Sequence, residues 1–83
     1  MIEIYGRNDC TYCEQATQLC KDRHLKYVYF QLGTDFNREE LLEQFPNAKT
    51  FPQIRINRSE IGGYTQLVEY IEQTGYNGTG LTL

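Results

Sequence analysis

The sequence predicts an α/β domain in which a four-stranded mixed sheet is flanked by helices, with elements in the order βαβαββα. Three observations carry this. Short runs rich in β-branched and aromatic residues lie at positions 2–5, 27–30 and 51–56, as buried or half-buried strands require. Between and after them stand stretches whose apolar residues recur at helical spacing. Strands joined through a helix prefer parallel pairing with a right-handed crossover, whereas a closing hairpin adds antiparallel strands to the same sheet.

Ile2 to Tyr5 makes the first strand, broken by Gly6, and Asn8-Asp9 precede a helix whose apolar positions are Tyr12, Ala16, Leu19 and Cys20. The basic cluster Lys21, Arg23, His24 suits a C-terminal turn and ends that helix near His24. Tyr27-Val28-Tyr29-Phe30 reads as a second strand, buried on both faces. Asn37-Arg38-Glu39-Glu40 has the Asn-x-x-Glu form of a capping box. Leu41, Leu42 and Phe45 then supply one apolar face, and Pro46 closes this short helix. Phe51 to Ile56 alternates as a half-exposed strand does, Asn57-Arg58 offers a turn, and Glu60-Ile61 returns antiparallel before Gly62-Gly63. Thr65 caps a last helix through Thr74, with Leu67, Val68 and Ile71 as its buried stripe and Gly75 as its stop. One domain thus occupies residues 1–74. Residues 75–83, with three Gly and two Thr and no periodicity, read as a mobile tail.

Eighty-three residues can assemble one hydrophobic core. An apolar fraction of 40%, with seven Tyr and four Phe, lies on the globular side of the boundary with disorder. No run approaches the roughly 20 apolar residues that cross a bilayer, and the start of the chain lacks the order of a signal peptide, so a cytoplasmic, membrane-free location is expected. A net charge of −3 with eight dispersed basic residues gives no basic stripe and argues against a nucleic-acid partner.

The chemistry lies in the cysteines. Of three, two stand in Cys10-Thr11-Tyr12-Cys13, a spacing too tight to staple a fold and suited to reactive thiols. Cys10 falls at the helix N-terminus, where unpaired N–H groups and the positive end of the dipole favour thiolate, and Arg7 adds a charge. Cys13 lies one turn on, at ~4.5 Å of rise, and stays protonated until it acts as resolving thiol. The competing reading of this pair is half a zinc site. Its only nearby partners, Cys20 and His24, lie ~10 Å or more along the same helix, so that reading needs the helix to be absent. Cys20 is otherwise a buried small hydrophobe and His24 a surface residue.

Arg7-Asn8-Asp9-Cys10-Thr11-Tyr12-Cys13, Thr50-Phe51-Pro52-Gln53-Ile54 and Ile61-Gly62-Gly63-Tyr64-Thr65, in that order, resemble the three sequence signatures of the glutaredoxin family, over residues 1 to about 74. A lone CxxC is shared with thioredoxins and metal sites; the following Thr-x-Pro and Gly-Gly set this pattern apart. The resemblance implies a thioredoxin-like fold and a dithiol oxidoreductase that uses glutathione to reduce protein disulfides and glutathione mixed disulfides. It also implies a monomer, with ribonucleotide reductase among its clients. The implied glutathione groove draws on Arg7, Thr11, Tyr12, Thr50, Phe51, Pro52, Gly63, Tyr64, Thr65 and Gln66.

In the family a cis peptide bond precedes the proline at the position of Pro52, turning the Phe51 backbone toward the substrate; the plain alternative is a strand-start proline. Gly62-Gly63 admits a ligand close to the backbone, and the next helix start offers N–H groups to the glutamyl carboxylate, with the Thr65 hydroxyl beside them. Gln66 stands where an acidic residue often meets the glutathione amine, and so gives no ion pair. Tyr12 and Tyr64 flank the sulfur and the peptide plane, or are half-buried aromatics; Arg7 is a ligand, or a solvated charge. Thr11 replaces the usual inter-cysteine Pro and restores an N–H near the Cys10 sulfur. The same departure leaves room for a second reading, a dimer holding a [2Fe–2S] cluster through Cys10 of each chain and two glutathiones; no other metal is expected. A third, thioredoxin-like reading fed by a reductase is disfavoured by Gly62-Gly63-Tyr64-Thr65 and by the missing Trp before Cys10.

Overall fold

The computed structural model describes residues 1–76 and has the predicted element order. The strands are β1 (Ile2–Gly6), β2 (Tyr27–Gln31), β3 (Gln53–Ile56) and β4 (Ser59–Gly62); the helices are α1 (Thr11–Asp22), α2 (Arg38–Gln44) and α3 (Tyr64–Thr74). They form one four-stranded sheet in the order β2-β1-β3-β4. β1 pairs parallel with β2 and antiparallel with β3, and β3 pairs antiparallel with β4.

The alternation of side chains along β1 sends Ile2 and Ile4 to one face and Tyr5 to the other. Ile2 and Ile4 pack with Ala16 and Cys20 of α1, Ile54 and Ile56 of β3, and Leu67 and Ile71 of α3. Tyr5 packs with Phe36, Leu41 and Phe45, so α2 covers the opposite face. At ~25 cal/mol per Å² of apolar surface, these two layers supply the main stabilisation of the fold. On the α2 face, Arg55 forks onto the Glu3 carboxylate at 3.1 and 2.9 Å, and its guanidinium lies 5.7 Å from the Phe45 ring centroid.

Local signals act as expected at several ends. Asn37 accepts the Glu40 N–H at 2.8 Å and Glu40 accepts the Asn37 N–H at 3.1 Å, closing the capping box of α2. Asn57 and Arg58 both have positive φ, 50° and 71°, as a two-residue hairpin turn requires. Gly75 stops α3 at φ 67°, in the left-handed region.

Other expectations are corrected. Among the described residues β2 stands at the end of the strand order, and all its residues are half-buried rather than enclosed on both faces. β1 continues through Gly6, which the Tyr29 phenol covers so closely that a Cβ would collide with it. α1 ends at Asp22, with Arg23 as its cap and His24 at φ 57° in the turn that follows. Its buried stripe is Cys13, Ala16 and Cys20; Tyr12 lies one position off that stripe and is 59% exposed. The N-cap of α3 is Gly63, and Thr65 is an exposed residue of the first turn. Tyr76, expected in the tail, packs into the core at 4% exposure. The remainder of the expected tail, 77–83, lies outside the described residues.

Candidate active site

β1 delivers the chain to the carboxyl edge of the sheet, where Arg7-Asn8-Asp9 turn it into α1. Asp9 takes φ 55°, a left-handed conformation that its short polar side chain tolerates better than most. Cys10 follows as the N-cap, with extended backbone at φ −125° and ψ 102°. Its sulfur accepts the Cys13 N–H at 3.1 Å, the bond that an N-cap side chain makes to the third helical residue. Cys10 and Cys13 are joined as a disulfide, their Cα atoms 5.2 Å apart.

This arrangement divides the labour between the two sulfurs. Cys10 is 7% exposed and Cys13 1%, so an attacking thiol reaches the Cys10 side of the pair. When the disulfide opens, Cys10 stands at the positive end of α1 with an N–H aimed at its sulfur, and both effects favour thiolate. The donor is Cys13, not Thr11 as the missing proline suggested: an N-cap side chain bonds to the second or third residue of the helix, and Thr11 is the first. Thr11 is exposed and lines neither groove beside the pair.

Eight of the ten residues expected to hold glutathione meet in one groove of about 220 Å³: Tyr12, Thr50, Phe51, Pro52, Gly63, Tyr64, Thr65 and Gln66. Tyr12 and Tyr64 bring their ring centroids to 6.1 Å, at 30° between planes. The Phe51–Pro52 peptide bond is cis. β3 begins only at Gln53, so the Phe51 N–H and C=O take no ladder bond. Gly62 has φ 121°, a conformation reserved for glycine, and the Gln66 side chain lies over it, 2.9 Å from where a Cβ would stand. Gln66 is itself committed: its Oε1 accepts the Gly63 N–H at 2.9 Å and caps α3. Glycine has no side chain to return the bond, so this is half of a capping box.

Arg7 stands apart from this groove. Its guanidinium donates to the carbonyls of Asn8 at 3.0 Å and Asp9 at 3.4 Å, bracing the turn before Cys10. It lines an adjoining groove of about 540 Å³ with Tyr12, Thr50, Phe51, Arg38 and Lys49. Sequence reasoning missed Arg38 and Lys49. Arg38 sat inside the capping motif of α2, and nothing local to Lys49 pointed to the cysteines.

The third cysteine is remote from this chemistry. Cys20 is fully buried on the α1 stripe, and burial pushes its thiol up to about 11. His24 is exposed beyond the far end of α1. Among the described residues, no three His, Cys, Asp or Glu side chains converge as metal ligands would.

Comparison with known proteins agrees with this geometry. The Glutaredoxin family model matches residues 2–61. Glutaredoxin 1 of Escherichia coli is 29% identical over 77 residues, covering 84% of this chain and 91% of that protein. The crystal structure of glutaredoxin 1 from Francisella tularensis, complexed with cacodylate, superposes with a TM-score of 0.74 at 25% identity, over 87% of this chain and 92% of that one. A buckwheat glutaredoxin–glutathione complex shares the fold, with a TM-score of 0.73 at 22% identity over 89% of this chain and 69% of that one. With its redox-active cysteines at the start of the first helix and its sheet order, the chain belongs to the glutaredoxin family, a thiol–disulfide oxidoreductase of thioredoxin-like fold.

Proposed function

We propose that this oxidoreductase takes its electrons from glutathione and passes them to protein disulfides and to glutathione mixed disulfides, working as a monomer in the cytoplasm. Ribonucleotide reductase is a client of the kind proposed. The observation that carries the reading is the groove that Tyr12, two residues on from Cys10, lines together with Thr50, Phe51, Pro52, Gly63, Tyr64, Thr65 and Gln66. Its polar groups suit a γ-glutamyl tripeptide. The first N–H groups of α3, at Tyr64, Thr65 and Gln66, have no intrahelical partner and offer a seat for the glutamyl carboxylate. The free N–H and C=O of Phe51 suit the cysteinyl residue, paired as a strand would pair. Arg7 offers a cation to the second carboxylate. The buckwheat protein, of the same fold, was solved with glutathione bound.

In the reduced protein the Cys10 thiolate attacks one sulfur of the substrate disulfide. A new S–S bond forms, the old one breaks, and the leaving thiolate takes up a proton from solvent. For a protein disulfide, Cys13 then loses its proton and attacks the Cys10 sulfur. This frees the second client thiol and leaves the Cys10–Cys13 disulfide, two electrons having passed to the client. Two glutathione thiols return those electrons and leave as glutathione disulfide, the first forming a mixed disulfide at Cys10. For a substrate that is already a glutathione mixed disulfide, Cys10 suffices.

No observation favours the cluster reading. It draws on the Cys10 sulfur, which is joined to Cys13 here. The test is reduction of a glutathione mixed disulfide coupled to glutathione reductase, with Cys10→Ser and Cys13→Ser beside the parent. Cys10→Ser is expected to lose all turnover. Cys13→Ser keeps deglutathionylation and loses reduction of protein disulfides. Turnover in Cys10→Ser, or none in the parent, overturns the proposal.

A further inference from the structure

The groove that Arg7 lines continues past the glutathione seat into a notch of about 120 Å³ formed by Leu41, Leu42, Ala48 and Phe51, with Arg38 and Lys49 on its rim. Arg38, Lys49, Thr50 and Phe51 line both, so the two openings share a wall. No carboxylate lines either. Among the described residues the one ion pair is Arg55–Glu3, which leaves Arg7, Arg38 and Lys49 without acidic partners. Three large apolar side chains are exposed among the described residues, and two of them, Tyr12 and Leu42, line these openings.

We propose that the Leu42 notch and its rim of Arg38 and Lys49 dock an acidic segment of the client protein, with one aliphatic side chain seated in the notch and flanking carboxylates over the cations. The proposal rests on the reading that protein disulfides are substrates. Three arguments carry it. Glutathione has no aliphatic side chain, so the notch has no use in holding it. The notch approaches the ~150 Å³ of cavities that accept benzene, a size that suits one branched side chain. The chain as a whole carries a net charge of −3 and repels acidic partners. A local cluster of unpaired cations on the grooves that Tyr12 and Phe51 line offsets that repulsion and draws such a partner to this edge.

The test separates docking from chemistry. The ¹⁵N-labelled oxidised protein is titrated with three cysteine-free hexapeptides: Asp-Leu-Ser-Gly-Leu-Glu, its basic counterpart Lys-Leu-Ser-Gly-Leu-Lys, and its glycine counterpart Asp-Gly-Ser-Gly-Gly-Glu. The acidic leucine peptide is expected to shift the amides of Leu41, Leu42, Ala48 and Lys49 and to bind about fivefold or more tightly than either control. Salt should erode its advantage over the basic peptide. Leu42→Glu, a surface change, should weaken that peptide about tenfold while turnover of a small glutathione mixed disulfide stays at the parent value. Leu42→Ser, which adds no charge, should weaken it less. Equal binding of the three peptides, shifts that map elsewhere, or indifference to both Leu42 variants overturns the proposal. Because the peptides carry no sulfur, loss of Cys10-dependent turnover would refute the catalytic reading and leave this measurement standing.

Discussion

Replacing Gln66 by Glu and by Lys separates its two roles, since one side chain caps α3 and also borders the glutathione groove. Oε1 of Gln66 accepts the Gly63 N–H at 2.9 Å, a bond at the helix start whose net worth is about 0.5–1 kcal/mol where water can compete for the donor. Glu keeps an acceptor there, makes the bond charge-assisted and places a negative charge at the positive end of α3, which adds about 0.3–1 kcal/mol. Lys loses the bond and reverses the charge, costing about 1–2 kcal/mol. The two variants should therefore differ by about 2 kcal/mol, or roughly 8–16 °C in Tm for a domain of this size. Urea unfolding at pH 7 measures it, and the advantage of Glu over the parent Gln should vanish below about pH 4, where the carboxyl protonates. In the coupled glutathione assay, Glu should lower KM about two- to fivefold by meeting the glutathione amine, and Lys should raise it. Equal stability of the two variants would refute the capping argument. A stability difference with an unmoved KM would refute the placing of residue 66 at the glutathione amine.

Arg55 beside Glu3 holds its carboxyl below the usual carboxylate range. Such a group contributes stability that is present above its unfolded pKa and lost as pH falls through the folded one. Glu3→Gln should thus cost about 1 kcal/mol at pH 7 by urea unfolding, with the gap to the parent closing below about pH 4; a pH-independent gap would refute the ion pair's part. Cys20, its thiol pushed up to about 11 by burial, should resist iodoacetamide at pH 8 in the folded, reduced protein while Cys10 is alkylated, and comparable labelling by mass spectrometry would refute its burial. The sign of its linkage is opposite to that of Glu3: the buried neutral thiol contributes fully below the ordinary thiol value of 9.0, and that contribution fades as pH rises toward 11. Leu67 is fully buried between α3 and the sheet, so Leu67→Ala should cost about 2–5 kcal/mol by the same unfolding assay. A loss under about 1 kcal/mol would place it outside the core.

Much of this molecule is legible in short stretches of chain. Asn37 and Glu40 are three residues apart and satisfy each other without help from the rest of the fold. Asn57-Arg58 and Gly75 adopt positive φ for reasons local to a two-residue turn and a helix end. The placement of Cys10 at the start of α1 follows from the same kind of signal, although the N–H that reaches its sulfur is that of Cys13 and not that of Thr11. These features depend on neighbours within one turn of helix or one hairpin. Residue type and spacing suffice to determine them.

What the tertiary structure decided involves distance along the chain. The run Tyr27–Phe30 has the composition of an enclosed strand, yet its position at the sheet edge leaves it half-buried, a fact set by which strands pair and not by its own residues. Tyr12 and Cys13 both fit an apolar stripe; the packing of α1 against Ile2, Ile4 and α3 selects Cys13 and leaves Tyr12 on the groove. Thr65 is the better cap by residue type, but α3 begins one residue after Gly63 with Gln66 reaching back to it. Arg38 is only a spacer in the α2 capping box and Lys49 lies in no motif, and only the packing of α2 below the Thr50–Phe51 segment puts them on the opening beside Arg7. The sequence by itself determined the order of elements, the capping box of α2, the hairpin turn, the stop of α3 and the reactive pair, because those rest on short-range backbone chemistry. The edge of the sheet, the exposed aromatic and the cationic rim were decided by tertiary packing, because burial and electrostatic potential belong to the surroundings that distant segments create.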